Sequence, residues 1–411
     1  MMKVIVIGAG HAGVAFADAM RRNGFAGELT MIDRLAGLPL ERPPLSKAFL
    51  LAEDGEESSF ALRASGWFAD RQITLVTGRG VAGLDAGTRQ VTLDDGGTLS
   101  YDRLVLATGA TPRQPANTAD MDGVFVLRDP DDARRLRTAA RAARSALVIG
   151  GGYIGLEVAA SLTKAGKMVT VIEAAPRLLA RVASPPVSAF FATRHGDAGV
   201  DIITGAAMSE IRHDNGGFVG ATLEDGRQID ADMLVVGIGV APNTDLAAQA
   251  DLAIANGIVT DGTMRTSRPD IYAIGDGAFD GSGAYGLRIE SVHNAQEQAE
   301  RAAASITGND VPRRQVPWFW SDQYDVKLQS AGVLPANNTD LHHVQRAGRR
   351  EGGFSVWSFA DDDLVAVEAI GDPAAYVLGK TCLESGRAPR PVQLADAGFD
   401  LKSFVADKPV A

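Results

Sequence analysis

The chain has 411 residues, which at roughly 150 residues per domain suggests two or three domains. Hydrophobic residues at 45% and charged residues at 22% are ordinary for a globular protein and exclude disorder, collagen and coiled coil. Acidic residues outnumber basic ones by 51 to 40, and the resulting net charge of −11 disfavours nucleic acid or an anionic membrane as partner.

Met-Met-Lys leads directly into the apolar run at residues 4–7, leaving no room for a targeting peptide, and no apolar run reaches the roughly 18 residues of a membrane span, so a cytoplasmic protein is expected. After that run comes Gly8-Ala9-Gly10-His11-Ala12-Gly13, which opens an Ala-rich helix, and the next strand, 28–33, ends at Asp33. The pattern has a physical reading. Gly8 permits the tight turn, Gly10 lets a pyrophosphate approach the backbone at the helix N-terminus, Gly13 lets helix and strand pack closely, and Asp33 accepts from ribose hydroxyls. Another apolar run, 103–107, passes into Ala107-Thr108-Gly109-Ala110-Thr111-Pro112-Arg113, whose small residues permit close approach of a cofactor.

The first pattern then recurs. Strand 146–149 leads into Gly150-Gly151-Gly152-Tyr153-Ile154-Gly155, a helix, and a strand 168–173 ending at Glu173. A carboxylate there accepts from the adenosine ribose and repels a 2′-phosphate, which favours NADH over NADPH. Two dinucleotide sites in one chain suggest two nucleotides, with a nicotinamide donor and a flavin as the natural pair and two nicotinamide sites as the alternative. Runs 233–236 and 271–276 continue the alternation of strand and helix, so a parallel α/β sheet is expected through the first three quarters. From Pro317 the pattern changes to strands at 326–329, 354–359 and 364–368, a turn at 361–363 and a helix over 373–384, an α+β end with its boundary near 313–317. Trp318 and Trp320 flank Phe319 as half-buried aromatics of this part.

The lone cysteine, Cys382, excludes an internal disulfide, a CxxC pair and a four-cysteine metal or iron–sulfur site, and its helical setting predicts a buried structural thiol. The six histidines show no ligand spacing beyond His342-His343, whose side chains diverge in a strand, so no metal is expected.

Four segments carry a more specific likeness: Glu41-Arg42-Pro43-Pro44-Leu45-Ser46-Lys47, residues 107–113, Ile271-Tyr272-Ala273-Ile274-Gly275-Asp276, and Pro317-Trp318-Phe319-Trp320-Ser321-Asp322-Gln323. With the two fingerprints, they make the chain resemble over nearly its whole length the FAD-dependent NADH:ferredoxin reductases of bacterial oxygenase systems, the group of putidaredoxin, rubredoxin and biphenyl-dioxygenase ferredoxin reductases. The resemblance implies a glutathione-reductase-like α/β fold of two Rossmann-like domains. Residues 1–110 and 241–315 would form a discontinuous FAD domain, 111–240 an inserted NAD domain reached and left by crossovers at 103–113 and 234–243, and 316–411 a C-terminal α+β domain.

For the site it implies that Arg42 supports the FAD phosphates, with Pro43-Pro44 fixing an extended backbone, and that Lys47, paired with Glu157, lies by the isoalloxazine ring, where a cation stabilises the reduced flavin. It further implies that Asp276 holds the ribityl or phosphate part of FAD, that Val292 meets the pyrimidine edge, and that Ala107, Thr108, Gly109 and Arg113 belong to the FAD site. Tyr153, Glu157 and Gly239 would belong to the NAD site, and Trp320 would stand at the flavin edge on the partner side. Lys47, Glu157 and Trp320 are thus the expected catalytic set, working by positioning rather than acid–base chemistry.

The implied reaction carries a hydride from NADH to FAD and then single electrons to a 2Fe-2S ferredoxin or a rubredoxin feeding a haem-thiolate monooxygenase or a ring-hydroxylating dioxygenase. A monomer or weak homodimer is expected, and Arg288, Arg313, Arg314 and Lys327 are candidates for a basic docking face. The position where related oxidases carry a reactive cysteine falls in residues 38–42, Leu-Pro-Leu-Glu-Arg, so the electron acceptor is external or oxygen. Two other readings share the fingerprints: an NADH-responsive flavoprotein sensor similar to apoptosis-inducing factor, and an NADH:quinone or NADH:oxygen oxidoreductase.

Overall fold

Short β-branched, mostly apolar runs build the central strands of two parallel sheets, because a strand covered on both faces has no polar side to alternate with. The computed structural model describes residues 1–53, 55–116, 118–119, 121–283, 285–335 and 340–406. It divides into two compact units, one of residues 1–44, 52–111 and 240–315, the other of residues 45–51, 112–239 and 316–411.

In the first unit a five-stranded sheet runs in the order Ile271–Ala273, Arg103–Leu106, Lys3–Ile7, Glu28–Asp33, Ile73–Thr77, with Val4 opposite both Leu29 and Arg103. On one face the helices His11–Arg22 and Val292–Thr307 pack together over it, burying Phe16, Met20 and Ala299 against Val6, Met31 and Tyr272. The other face buries Leu84 and Val91 of an antiparallel meander, Val81–Asp85, Gln90–Leu93 and Thr98–Ser100.

The second unit repeats the plan in the order Asp201–Thr204, Met168–Glu173, Ser145–Ile149, Met233–Val236, Val124–Phe125. Two of its helices start at capping side chains. Asp129 accepts from the Asp132 amide ahead of Pro130, and Asp372 accepts from the Ala375 amide ahead of Pro373. The terminal residues form a five-stranded antiparallel sheet in the order Trp318–Gln323, Val326–Gly332, Asp363–Ile370, Phe354–Ala360, His342–Ala347, flanked by the helix Pro373–Ser385. This sheet shares a core with the parallel one: Leu328, Phe354 and Val356 join Val148, Val171 and Phe191 in a single cluster. His342 is exposed while its neighbour His343 turns the other way and meets Ser358 Oγ, as strand alternation requires.

Two local features differ from the sequence expectation. Pro43–Ser46 is a 3₁₀ turn rather than extended backbone, because the proline φ near −65° also suits the first turn of a helix, where the missing N–H costs nothing. And residues 45–51 leave the first unit for the second, where Leu50 enters the shared core and the Phe49 carbonyl accepts from Arg137.

Candidate functional site

The two glycine loops are near-copies in atomic detail. Gly8 (φ +107°) donates to the Ile32 carbonyl and Gly150 (φ +103°) to that of Ile172, both at 2.8 Å. A Cβ on Gly8 would overlap the Ala107 carbonyl oxygen, and one on Gly150 that of Gly237; on Gly13 and Gly155 it would overlap the carbonyls of Gly8 and Gly150. These four glycines are therefore fixed by the scaffold. Gly10 and Gly152 are not, since a Cβ on either would meet nothing within 4 Å.

Each of that pair is the N-cap of its helix, and neither has a capping side chain. Each helix therefore starts without a side chain over its N-terminus, at the positive end of a helix dipole, with open space beside the N-cap glycine and Ile154 left 47% exposed at the second. Such a cradle fits a dinucleotide pyrophosphate. The acids complete it in the same way twice. Asp33 accepts from the amides of Ala9 (2.7 Å) and Leu35 (2.9 Å), Glu173 from those of Gly151 and Ala175 (both 2.7 Å), so each carboxylate is anchored at its strand end with lone pairs left for ribose hydroxyls.

Around the first loop, Thr108 and Asn243 exchange hydrogen bonds, Thr108 Oγ1 to the Asn243 carbonyl and Asn243 Nδ2 to the Thr108 carbonyl, both at 2.9 Å. They stitch the chain leaving the unit to the chain returning. Arg113 is exposed, and its amide donates to the carbonyl of Gly239 (φ +99°) at 2.9 Å in the second unit. Gly275 (φ +74°) packs on Ala12 and donates to Gln298 Oε1 at 2.7 Å, which presents Asp276 in a 3₁₀ turn at the strand end. Val292 opens the helix capped by Ser291, and Arg42 is half-buried.

Arg288 is not a docking-face residue. Its side chain is 6% exposed, donates to the Asp276 carbonyl at 2.6 Å and pairs with Glu290, while its buried Nε has no acceptor among the described residues. A buried orphan donor beside Asp276 suits an anionic or carbonyl-bearing ligand group. Arg314 is paired with Asp280, and Lys327 lies 3.8 Å from Asp322.

In the second unit, one face of a helix meets one face of a strand. Tyr153 and Glu157, four residues apart on the helix Tyr153–Lys164, face Phe319 and Ser321, two apart on Trp318–Gln323. The Tyr153 and Phe319 rings stand 4.6 Å apart. Glu157 is 3% exposed and accepts at 2.6 Å from each of Lys47 Nζ, Ser46 Oγ and Ser321 Oγ. Ser161 of the same helix ties down the Ser46 carbonyl at 2.6 Å. Trp318 and Trp320 occupy the opposite strand face, half-buried with centroids 5.5 Å apart, and Trp318 also contacts Tyr376. Asn243, Gln298, Ser46 and Ser321 were not singled out from sequence, and Arg288 was assigned there to the docking face instead; Ser46 and Ser321 lay inside recognised segments, but nothing local marks either as a partner of Glu157.

Two further buried groups are chemically distinct. The Cys382 thiol is pushed up to about 11 by burial, so it offers no thiolate for redox chemistry. Glu368, 1% exposed, accepts from the Ser184 amide through both oxygens at 3.1 Å; burial raises it to about 7 against that hydrogen bonding and Arg177, and it helps burial hold the nearby Tyr153 phenol well above its ordinary value. In the unfolded chain this carboxyl would release its proton near 4.5, in the folded one only near 7, so folding loses stability as pH rises through that window and stays weaker above it. Glu368→Gln is therefore expected to melt alongside the wild type at pH 4.5 and to gain on it up to pH 7, by about 3 kcal/mol at most. A melting-temperature gap equal at pH 5 and pH 8 would contradict this.

With this geometry established, comparison with known proteins is specific. A model of the pyridine nucleotide-disulphide oxidoreductase family matches residues 2–299, and a reductase C-terminal model matches residues 318–405. Rhodocoxin reductase of Rhodococcus erythropolis is 41% identical over 98% of this chain and 95% of its own length. Putidaredoxin reductase CamA of Pseudomonas putida is 39% identical over 98% and 96%, and rubredoxin-NAD(+) reductase of the same species 39% over 90% and 96%. Among solved structures, the ferredoxin reductase for the CYP199A2 system from Rhodopseudomonas palustris superposes with a TM-score of 0.93 at 37% identity, covering 98% of this chain and all of that one. The covalent putidaredoxin reductase–putidaredoxin complex gives 0.92 at 37% identity, with 98% of each chain covered. By its two matched domains and its relatives, the chain belongs to the pyridine nucleotide-disulphide oxidoreductase family, among the members that end in a reductase C-terminal domain.

Proposed function

We propose that this chain is an NADH-dependent reductase of an oxygenase system, in which bound FAD accepts a hydride from NADH and releases single electrons to a 2Fe-2S ferredoxin. The observation that carries the reading is the presence of two open glycine cradles in one chain, each with its own anchored acid. The first unit holds FAD through Gly8, Gly10, Ala12, Gly13, Asp33, Thr108, Gly109 and Asp276, with Arg42, Ala107 and Val292 at its margins, and Arg113, at the start of the second unit, is assigned to the same cofactor. The 112–239 part of the second holds NADH through Gly150, Gly152, Tyr153, Ile154, Gly155, Glu173 and Gly239, and the terminal sheet supplies Trp320 on the partner side.

Lys47 supplies a fixed positive charge for the reduced isoalloxazine, and Glu157 keeps that ammonium in place. Tyr153, its ring against Phe319, takes the nicotinamide side. Glu173 selects NADH by accepting from the adenosine ribose and repelling a 2′-phosphate. No thiol participates, so the acceptor is external or oxygen, and we take it to be a separate protein. The names of the relatives support either a ferredoxin or a rubredoxin as that protein. Among the described residues no helix is long and apolar enough to cross a membrane. We take the enzyme to be cytoplasmic and a monomer or weak homodimer.

Anaerobic stopped-flow absorbance tests the reading. NADH is expected to bleach the flavin within the turnover time, and an oxidised 2Fe-2S ferredoxin then to restore it. Restoration by a quinone or oxygen, with ferredoxins left oxidised, would overturn the assignment in favour of a quinone or oxygen reductase.

A further inference from the structure

Behind the Lys47–Glu157 pair lies a run of buried polar side chains whose hydrogen bonds can be given directions from one fact. Glu157 is ion-paired with Lys47, so its carboxylate only accepts. Ser321 Oγ, 2.6 Å from Glu157 Oε1, must spend its single proton there, and it accepts from the Gln323 amide at 3.1 Å. That settles the amide: Nε2 faces Ser321, and Oε1 faces His195 Nε2 at 2.8 Å. An amide oxygen cannot donate, so His195 carries its proton on Nε2 and accepts on Nδ1 from the Tyr324 hydroxyl at 3.1 Å. Every proton in the series points toward Glu157.

The series is sealed from water, with Ser321, Gln323 and His195 each at most 1% exposed. Burial also holds the imidazole below its ordinary range, in keeping with a neutral ring that accepts on one side and donates on the other. Its outer end is held from two helices. Lys164 Nζ donates to the Tyr324 carbonyl at 2.8 Å, and the Arg194 guanidinium stands 4.4 Å over the Tyr324 ring. Tyr324 takes a left-handed backbone (φ +57°) in the turn between Trp318–Gln323 and Val326–Gly332, a conformation uncommon for a residue with a side chain.

We propose that His195 and Gln323 are positioning residues for the reduction site: they keep the Ser321 proton on Glu157 and thereby keep Glu157 turned to Lys47. The proposal rests on the reading that Lys47 and Glu157 serve flavin reduction. The amide transmits orientation rather than protons. Without the His195 donor, Gln323 can turn over, and its oxygen then competes with Glu157 for the Ser321 proton.

The test uses the full-length, FAD-loaded chain with His195→Leu, His195→Gln and Gln323→Leu. At saturating NADH, His195→Leu is expected to slow flavin bleaching about tenfold while KM for NADH stays within about twofold. His195→Gln, whose amide nitrogen can still donate to Gln323, is expected to recover the rate to within about twofold of wild type. If His195→Leu does not fold, Gln323→Leu should show the same split of rate from KM. Independently of turnover, ¹⁵N NMR of histidine-labelled wild type should show His195 as the Nε2–H tautomer. An Nδ1–H tautomer, equal slowing by His195→Leu and His195→Gln, or full activity in all three variants would overturn the proposal. A wild-type chain whose flavin NADH does not bleach would overturn the functional reading and the proposal with it, a result set apart because it arises without any substitution.

Discussion

A Gly152→Val chain is expected to fold, keep its yellow flavin and lose most of its reaction with NADH. Gly152 has an extended backbone (φ −79°, ψ 178°) that valine adopts readily, and a Cβ there meets nothing within 4 Å, so the scaffold is untouched. What changes is the approach to the first-turn amides of the helix Tyr153–Lys164. Hydrogen bonds from such amides to a charged pyrophosphate oxygen contribute about 1.5–3 kcal/mol each, so losing two raises KM for NADH by about a hundredfold or more. Gly10→Val, at φ −72°, ψ −167° and equally open, is the mirror experiment and should yield a folded, colourless protein. Gly155→Val is the control that should damage folding itself, because its Cβ would overlap the Gly150 carbonyl. Flavin absorbance of the purified proteins and anaerobic NADH titration separate the three. If Gly10→Val kept its flavin, or Gly152→Val lost it, the assignment of one nucleotide to each cradle would be wrong.

The contrast among these glycines shows which parts of the molecule were legible in the sequence. Strand, turn, helix and acid of each fingerprint lie within about thirty residues, so local pattern marks the whole motif, while the anchoring of Asp33 and Glu173 by backbone amides emerges only from the fold. The hairpin of Phe354–Ala360 and Asp363–Ile370 was legible for the same reason. The arrangement around Glu157 was not, beyond the Lys47 pairing that the resemblance implied. Its hydroxyl partners come from Ser46 and Ser321, 111 and 164 residues away, and a serine carries no pattern that announces a buried acceptor. Glu368 sits within an apolar strand run, and only the fold places the Ser184 amide against it. The meander from Val81 to Ser100 and the antiparallel strands Met208–Asp214, Gly217–Leu223 and Gln228–Asp230 carry no such local signal, because they are short, polar or broken by glycine and so lack a clean alternating run.

Lys47→Met is expected to slow hydride transfer by about a hundredfold, the loss typical of removing one preorganised electrostatic group. It should also lower the melting temperature, because Glu157 would keep its hydroxyl donors but lose the charge that compensates its burial. Breaking a buried pair from one side costs about 3–5 kcal/mol, and the 21% exposure of Lys47 places this case toward the lower end. The double variant Lys47→Met/Glu157→Leu distinguishes stability from function. Replacing both charges by apolar groups of similar size is close to neutral for folding, so the melting temperature should largely return. The rate should not, since neither residue then supplies a cation. Recovery of both would mean that the pair merely packs the helix Tyr153–Lys164 against residues 45–51; recovery of stability alone assigns the charge to the reaction.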